Sequence, residues 1–294
     1  MPCFSPLRAF QGADGSVFFV ELKRSQAVRT LDLPCGRCVG CLLERSRQWA
    51  VRCMHEAQMH ELSCFVTLTY EDDSVVSLDY SHFQKFLRSL RKRSGRKVRF
   101  FACGEYGEMN FRPHFHALLF GIDFTDKRVF SRRDEVVLYE SKALQEVWGR
   151  GFCTIGDVTF QSAGYVARYC MKKLDRQVGV DMYRTIDRST GEVISRELEM
   201  LHMSLKPGIG AGWLERFQSD VYPRGYVVVN GQKAKPPRYY DKKYKCLDPQ
   251  TFEDRILYER ELRGIEHAAD NTNERLAVRD QVQRAAISFL KRDV

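Results

Sequence analysis

The stretch "KVRFFACGEYGEMNFRPHFHALLF" (residues 97–120) decides the fold that this sequence predicts. Two runs rich in apolar and aromatic residues, 97–107 and 112–124, have the composition of β-strands. The connection between them is short, polar and contains glycine, which favours an antiparallel hairpin. Pro113 suits the first position of the second strand, where a proline costs no ladder hydrogen bond.

Strands and helices alternate on both sides of this hairpin. Further strands are predicted at 63–70 and 152–160, and helices at 77–95, 139–151 and 161–177. The resulting order, β-α-β-β-α-β-α, belongs to the α+β class. It predicts a central, mainly antiparallel sheet with flanking helices on one side, as in ferredoxin-like or RRM-like folds.

The chain is predicted to have three parts. Residues 1–60 combine short strands, a Cys-rich segment and a helix at 42–60, and residues 61–178 form the α+β core. Residues 179–294 form a C-terminal extension, irregular up to residue 250 and helical thereafter.

Composition restricts the class of protein. The 294 residues carry a net charge of +9, which favours a polyanionic partner such as nucleic acid, although a merely basic protein is the alternative. The sequence contains no run of about 18 apolar residues, so no membrane-spanning helix is expected. Its first residues also lack the pattern of a secretory signal. We therefore expect a cytoplasmic protein whose ten cysteines are free thiols or metal ligands.

His114 and His116 lie two residues apart on a predicted strand, so they project from one face. Such a pair is more often an ordinary polar face. However, Glu105 on the preceding strand is close enough to join them, with Glu108 in the turn as the alternative acid. Two imidazoles and a carboxylate favour a divalent metal site suited to Mg²⁺ or Mn²⁺.

Tyr165 and Tyr169 are spaced i, i+4 and share one face of a predicted helix, followed by Lys172 and Lys173. One interpretation is an aromatic stripe that packs on the sheet. The other is a pair of nucleophiles that attack a phosphodiester and form a 5′-phosphotyrosine. A nearby lysine would then stabilise the transition state.

The runs "RPHFHALLF" (112–120) and "GYVARYCMKK" (164–173) together resemble the HUH endonucleases, and the Tyr-x3-Tyr spacing resembles the twin-tyrosine branch of rolling-circle initiators. Five further motifs resemble the replication initiators of gokushoviruses, small single-stranded DNA phages of the Microviridae. They are "PCGRCVGCLLERSRQWAVRCMHEAQ" (34–58), "CFVTLTY" (64–70), "CGEYGE" (103–108), "TIGDVTF" (154–160) and "KPGIG" (206–210).

This resemblance implies a site-specific nick in the plus strand of replicative-form DNA, after which replication starts from the free 3′-OH. It implies that His114, His116 and Glu105 are the metal ligands and that Tyr165 and Tyr169 are the nucleophiles. The partners would be single-stranded and replicative-form origin DNA. No Walker-type motif occurs, so a host helicase and a host polymerase are expected as well.

A C-x2-C-x2-C run places Cys35, Cys38 and Cys41 close together. Structural zinc needs four nitrogen or sulfur ligands, and Cys3 is a candidate for the fourth. Cys53 and His55 are alternative fourth ligands. An iron–sulfur cluster and a group of unmetallated thiols are the other interpretations.

Two basic segments are candidates for DNA binding. The segment 87–99 includes Arg91, Lys92, Arg93, Arg96 and Lys97, which could follow phosphates or simply be solvated. The segment 233–245 mixes basic residues with three tyrosines that could stack on single-stranded bases.

Two other functions compete with a tyrosine nickase. A non-catalytic, zinc-containing DNA-binding protein would leave the histidine and tyrosine pairs unexplained. A relaxase or transposase would use the same chemistry in a different biological role.

Overall fold

The computed structural model describes residues 3–19, 27–72, 74–107, 110–172, 183–186, 191–229 and 231–289. The chain divides into two compact units, which are treated separately below. The first combines Met1–Arg45 with Gln250–Val294, and the second is Ser46–Pro249. The three-part domain division stays a prediction, because compactness alone does not establish which parts fold independently.

The strands, in chain order, are β1 (Leu7–Gly12), β2 (Val17–Phe18), β3 (Ala27–Leu33), β4 (Ser63–Thr69), β5 (Arg99–Tyr106), β6 (Pro113–Phe120), β7 (Arg128–Arg133), β8 (Val136–Glu140), β9 (Cys153–Gly156), β10 (Arg184–Ile186), β11 (Val193–Ser195), β12 (Met200–Met203), β13 (Val227–Val229) and β14 (Gln232–Ala234). The helices are α1 (Val39–Ala57), α2 (Tyr80–Ser94), α3 (Lys142–Trp148), α4 (Phe160–Lys172), α5 (Ala211–Val221), α6 (Arg238–Leu247), α7 (Pro249–Thr251), α8 (Tyr258–Glu266) and α9 (Asn273–Phe289). A π-helical turn (Phe252–Leu257) and a 3₁₀ turn (Ala268–Asn271) connect the last three helices.

A seven-stranded sheet in the order β12-β5-β6-β4-β9-β8-β7 dominates the second unit. Every neighbouring pair of strands is antiparallel. The hairpin predicted from residues 97–120 is β5–β6, near the centre of this sheet. The α+β class and the antiparallel sheet with flanking helices are therefore confirmed. The β7–β8 hairpin and the edge strand β12 were not predicted.

Helices cover both faces of the sheet, so the prediction that they lie on one side is wrong. Val66, Leu68 and Phe115 pack with α2 and α3 on one face. Phe65 and Leu118, on the same two strands but with side chains on the opposite face, pack with α1 and α4 on the other. The physical reason is visible in β5, where all eight residues are buried, so neither face can be left to solvent.

Local signals fix the ends of the helices on the first face. The Asp79 side chain accepts a hydrogen bond from Ser81 N–H at the start of α2, and Gly95 ends the helix with φ at 64°. In the same way, Ser141 caps α3 through Leu144 N–H and Gly149 ends it at φ 62°. The sequence predicted both helices because these caps are readable without tertiary information.

Residues 179–250 were predicted to be irregular, but their described part contains β12, α5 and α6. A buried ion pair between Glu56 and Arg99 fixes the "KPGIG" segment beside the sheet. Arg99 Nη2 donates to the Pro207 carbonyl at 2.8 Å, and Gly210 N–H donates to Glu56 Oε2 at 2.7 Å. Such long-range partners cannot be inferred from local composition.

The first unit contains a three-stranded antiparallel sheet in the order β2-β1-β3. The helical C-terminal region is confirmed, and Arg29 of β3 pairs with Glu261 of α8 at 2.9 Å. Within the described residues of the whole chain, no helix combines the length and apolar character needed to cross a bilayer.

Candidate metal and tyrosine site

The register of the central sheet brings the predicted metal ligands together. Glu105 lies directly opposite His114 in the β5–β6 ladder. His116 lies between Cys103 of β5 and Thr67 of β4. Because paired residues in an antiparallel sheet share a face, all three predicted ligands project from the face that α1 and α4 cover.

The two imidazoles converge on one carboxylate oxygen. His114 Nε2 and His116 Nε2 each lie 2.9 Å from Glu105 Oε1. One possible donor atom from each of the three residues lies within 4.8 Å of the other two. Glu105 is 1% exposed and His116 5% exposed, so they are held in a largely dry setting.

The other nitrogen of each ring is also engaged. His114 Nδ1 lies 3.1 Å from the Arg112 carbonyl, and His116 Nδ1 lies 2.9 Å from Thr67 Oγ1. A carbonyl can only accept, so His114 Nδ1 donates to it, which leaves Nε2 as the ring nitrogen directed at Glu105. This is the arrangement that orients metal-binding histidines in proteins.

Glu105 is a carboxylate in this setting. Burial on its own raises the pKa of Glu105, but hydrogen bonds and positive charge from His114 and His116 outweigh burial and lower it to about 2. A group that is ionised and buried at neutral pH requires positive partners. Two histidines and a carboxylate that converge in this way fit a divalent cation, with coordination positions left for a substrate.

Tyr165 of α4 reaches the same carboxylate. Its hydroxyl donates to Glu105 Oε1 at 3.1 Å, and its ring lies edge-on to His116 with centroids 5.1 Å apart. The small residues Ala163 and Ala167, both fully buried, allow α4 to lie close to the sheet. Burial raises the pKa of the Tyr165 phenol, and the negative charge of Glu105 raises it further.

The remaining predicted site residues are less fully described. Tyr169 and Lys172 belong to α4, but their side chains lie outside the described part of the structure. Lys173 and the alternative acid Glu108 lie outside the described residues altogether.

An exposed aromatic pair, Phe130 and Phe152, was not predicted from the sequence. It extends the row of residues that runs from His114 through Thr69 across neighbouring strands of the sheet. Thr69 pairs with His114, and its N–H donates to the Phe152 carbonyl at 3.1 Å. Phe152 and Phe130 have ring centroids 4.8 Å apart and remain 38% and 52% exposed. Two strand spacings separate Phe152 from His114, or about 10 Å.

Gly151 makes this row possible. Its φ is 152°, and a Cβ there would meet the Glu71 amide nitrogen at 2.4 Å. Only glycine allows the chain to pass β4 so closely and place Phe152 beside Thr69. The sequence feature that could have predicted this surface is the run "RVFSRR" (128–133), in which an aromatic residue lies among arginines. Five of its six positions are exposed.

The basic residues predicted to bind DNA are not near the metal ligands. Arg91, Lys92 and Arg93 end α2, which packs on the opposite face of the sheet. Arg96 and Lys97 follow, and Arg99 at the start of β5 is separated from Glu105 by about 20 Å of extended chain. A role in DNA binding for this cluster stays a prediction.

The tyrosines of segment 233–245 are poorly placed for stacking on bases. Tyr240 is fully buried and Tyr244 is 6% exposed, while Tyr239 packs against the Arg52 guanidinium. Because α6 buries Tyr240 and Tyr244, these two rings are not available for stacking, whereas a stacking role for the half-buried Tyr239 stays a prediction.

The four predicted zinc ligands also converge, in the first unit. Sulfur atoms of Cys3, Cys35, Cys38 and Cys41 all lie within 4.8 Å of one another. The alternative ligands are engaged elsewhere: Cys53 is buried in the core, and His55 hydrogen bonds to Tyr240.

Comparison with known proteins agrees with these features. A family model described as replication-associated protein ORF2/G2P matches residues 63–174. Replication-associated protein VP4 of Bdellovibrio phage phiMH2K is 33% identical over 86% of this chain and 80% of its own length. Replication-associated protein ORF2 of Spiroplasma virus 4 is 30% identical over 79% and 73% of the two chains.

A more distant relative, replication-associated protein ORF4 of Chlamydia phage 1, is 28% identical over 79% of this chain and 62% of its own length. No solved structure matches the chain significantly. The chain belongs to the replication-associated proteins of the Microviridae and is of the gokushovirus type. The family resemblance inferred from the sequence motifs is thereby confirmed.

Proposed function

We propose that this protein is a metal-dependent nicking endonuclease that initiates rolling-circle replication of a small circular single-stranded DNA phage genome. Membership of a phage replication-associated family supports the biological role. One observation carries the chemistry: Glu105 contacts both His114 and His116 and also accepts the hydrogen bond of the Tyr165 hydroxyl. A nucleophile and a cation site therefore meet at a single carboxylate.

Glu105, His114 and His116 would hold a divalent cation, Mg²⁺ or Mn²⁺. When bound, such a cation offsets negative charge on the scissile phosphate and orients it for in-line attack. The fold would favour binding of the cation because the His114 and His116 rings and the Glu105 carboxylate converge on one point. Thr67 and the Arg112 carbonyl keep both rings in the required orientation.

Tyr165 is the proposed nucleophile whose described side chain reaches this point. Its oxygen attacks the phosphorus, the phenol O–H bond breaks, and the bond from phosphorus to the 3′ oxygen breaks. The departing 3′ oxygen takes up a proton, which leaves a free 3′-OH and a 5′-phosphotyrosine. Burial and the negative charge of Glu105 keep the Tyr165 phenol protonated. A cation bound at Glu105 would offset that negative charge and make loss of the phenolic proton easier.

Tyr169, one turn later on α4, is the proposed second nucleophile. A second tyrosine permits a second strand transfer, which rejoins the displaced strand, without prior release of the first adduct. Lys172 and Lys173 are proposed to stabilise negative charge in the transition state and to assist removal of the phenolic proton.

Single-stranded origin DNA is proposed to cross the sheet along the row that ends in Phe152 and Phe130. Exposed rings stack on bases irrespective of sequence. Arg128, Arg132 and Arg133 belong to the same hairpin as Phe130 and supply positive charge for the phosphates. Duplex replicative-form DNA would have to be opened first, which requires a host helicase, and a host polymerase would extend the 3′-OH in the host cytoplasm.

The test is incubation of the protein with labelled single-stranded origin DNA and Mn²⁺. We expect a labelled adduct that survives SDS, is absent with a chelator, and persists in each single variant Tyr165→Phe and Tyr169→Phe. The double variant should form none. Tyr258→Phe, which alters an exposed tyrosine on α8, is the matched control and should behave as the wild type.

The alternatives give different results. A non-catalytic DNA-binding protein would shift the DNA in native gels without any covalent adduct under any metal condition. A relaxase or transposase would form an adduct, but on sequences other than the phage origin.

A further inference from the structure

Four cysteines converge at one end of the small sheet in the first unit. The ladder between β1 and β3 ends at the pair Leu7–Leu33. Cys3 lies in the chain before Leu7, and Cys35 and Cys38 lie in the chain after Leu33. Cys41 lies in the first turn of α1. Two chain segments, one before β1 and one running from β3 into α1, therefore contribute sulfur atoms to one place.

The spacing of the sulfur atoms matches a single ion. Cys35 Sγ lies 4.0 Å from Cys41 Sγ, and Cys38 Sγ lies 3.9 Å from Cys3 Sγ. A tetrahedral zinc with bonds of about 2.3 Å holds its sulfur ligands about 3.8 Å apart. A disulfide would require a separation of about 2.05 Å, so these are not cystine pairs. An iron–sulfur cluster would place several iron atoms between the thiolates and hold them further apart.

Backbone amides surround the sulfur atoms. Phe4 N–H donates to Cys38 Sγ at 3.2 Å, and Cys35 N–H donates to Cys3 Sγ at 3.3 Å. Two more amides, those of Arg37 and Cys38, donate to Cys35 Sγ at 3.4 Å and 3.3 Å. Amide donors offset the excess negative charge that four thiolates leave around a divalent ion.

We propose that Cys3, Cys35, Cys38 and Cys41 bind one zinc ion in a closed, structural site. All four positions of a tetrahedron are taken by protein, so no position is left for a substrate or a catalytic water. The ion cross-links the chain before β1 to the start of α1. It also fixes Phe4, over whose ring the Arg279 guanidinium of α9 lies at 5.8 Å.

This inference does not depend on the proposed nicking reaction, and its test avoids that reaction. The full chain carrying His114→Ala and His116→Ala lacks the other cation site, so metal analysis reports on the cysteines alone. We expect one equivalent of zinc per chain. Chelation should remove it and lower the thermal unfolding midpoint. Cobalt substitution should give the intense thiolate-to-metal absorption of a tetrahedral sulfur site.

Variants identify the ligands. Cys3→Ser should abolish stoichiometric zinc, and Cys246→Ser, at an exposed cysteine, should retain it. Should Cys3→Ser fail to fold, alkylation rates measured by mass spectrometry on the parent protein serve instead. Cys3, Cys35, Cys38 and Cys41 should be protected with zinc and reactive after chelation. Absence of bound zinc with no protection, stoichiometric iron with sulfide, or full zinc in a folded Cys3→Ser protein would overturn the proposal.

Discussion

The hydroxyl of Tyr165 donates a hydrogen bond to Glu105 Oε1 across 3.1 Å, linking helix α4 to the centre of the sheet. The same oxygen lies 2.9 Å from a nitrogen of each site histidine. A part-buried tyrosine hydroxyl needs a hydrogen-bond partner, and here that partner is the carboxylate shared by both histidines. This contact connects the proposed cation site to the proposed nucleophile.

Replacement of the proposed ligands should separate catalysis from DNA binding. We expect His114→Ala, His116→Ala and Glu105→Gln each to reduce adduct formation by roughly 100-fold or more, because each removes a ligand of the cation. Affinity for single-stranded DNA, measured by fluorescence anisotropy, should change little. His267→Ala, at an exposed histidine, is the control. Efficient cleavage by the His114→Ala, His116→Ala double variant would contradict the proposed site.

Thr67→Val should weaken the cation site without removing a ligand. Thr67 Oγ1 contacts His116 Nδ1, and loss of such an outer partner typically costs about 10- to 100-fold in metal affinity. The Mn²⁺ concentration that gives half-maximal cleavage should rise, while the rate at saturating Mn²⁺ should recover. A reduced rate that added Mn²⁺ cannot restore would instead indicate a general distortion of β4.

The exposed aromatic pair should contribute to binding of single-stranded DNA. Removal of a stacked aromatic side chain costs about 1–3 kcal/mol per base. We expect Phe130→Ala and Phe152→Ala each to weaken binding by about 5- to 150-fold, the range equivalent to that cost. Phe289→Ala, at the exposed phenylalanine of α9, is the matched control. Wild-type affinity in the Phe130→Ala, Phe152→Ala double variant would rule out this path for the DNA.

His55 should make the second unit sensitive to acid. Its ring stacks on Trp213 at 3.5 Å, and burial lowers its pKa from 6.5 to about 4. Because the folded-state pKa is the lower one, the unfolded chain binds the proton first. The contribution of neutral His55 is complete above pH about 6.5 and is lost as pH falls towards 4, by about 3 kcal/mol.

Urea unfolding followed by tryptophan fluorescence measures this effect. His55→Gln should flatten the fall in stability between pH 6.5 and about 4, whereas His267→Gln should leave it unchanged. Equal pH dependence in the wild type and His55→Gln would show that other groups dominate acid unfolding.

Local sequence was sufficient to predict the centre of the fold and the grouping of Glu105, His114 and His116. The β5–β6 hairpin follows from two apolar runs and a polar connection, and its register pairs Glu105 with His114. The period-two pattern places His114 and His116 on one face, and no tertiary information is needed for that step.

Tertiary packing determined what the sequence could not reveal. Helices on both faces of the sheet follow from the complete burial of β5, which the apolar pattern alone did not distinguish from one-sided burial. The Phe130–Phe152 contact joins residues that are distant in sequence, through a bulged hairpin and a close approach at Gly151. Interactions of this kind become visible only when the strand order is known.

Mapping of the covalent adduct tests the central claim most directly. Trypsin cleaves after Arg150, Arg168 and Lys172, so Tyr165 and Tyr169 fall in separate peptides, 151–168 and 169–172. After reaction with origin DNA and Mn²⁺, followed by nuclease digestion, mass spectrometry should find a nucleotide phosphate on one or both of these tyrosines. A modified residue anywhere else, or no modified peptide when the DNA is cut, would contradict the account.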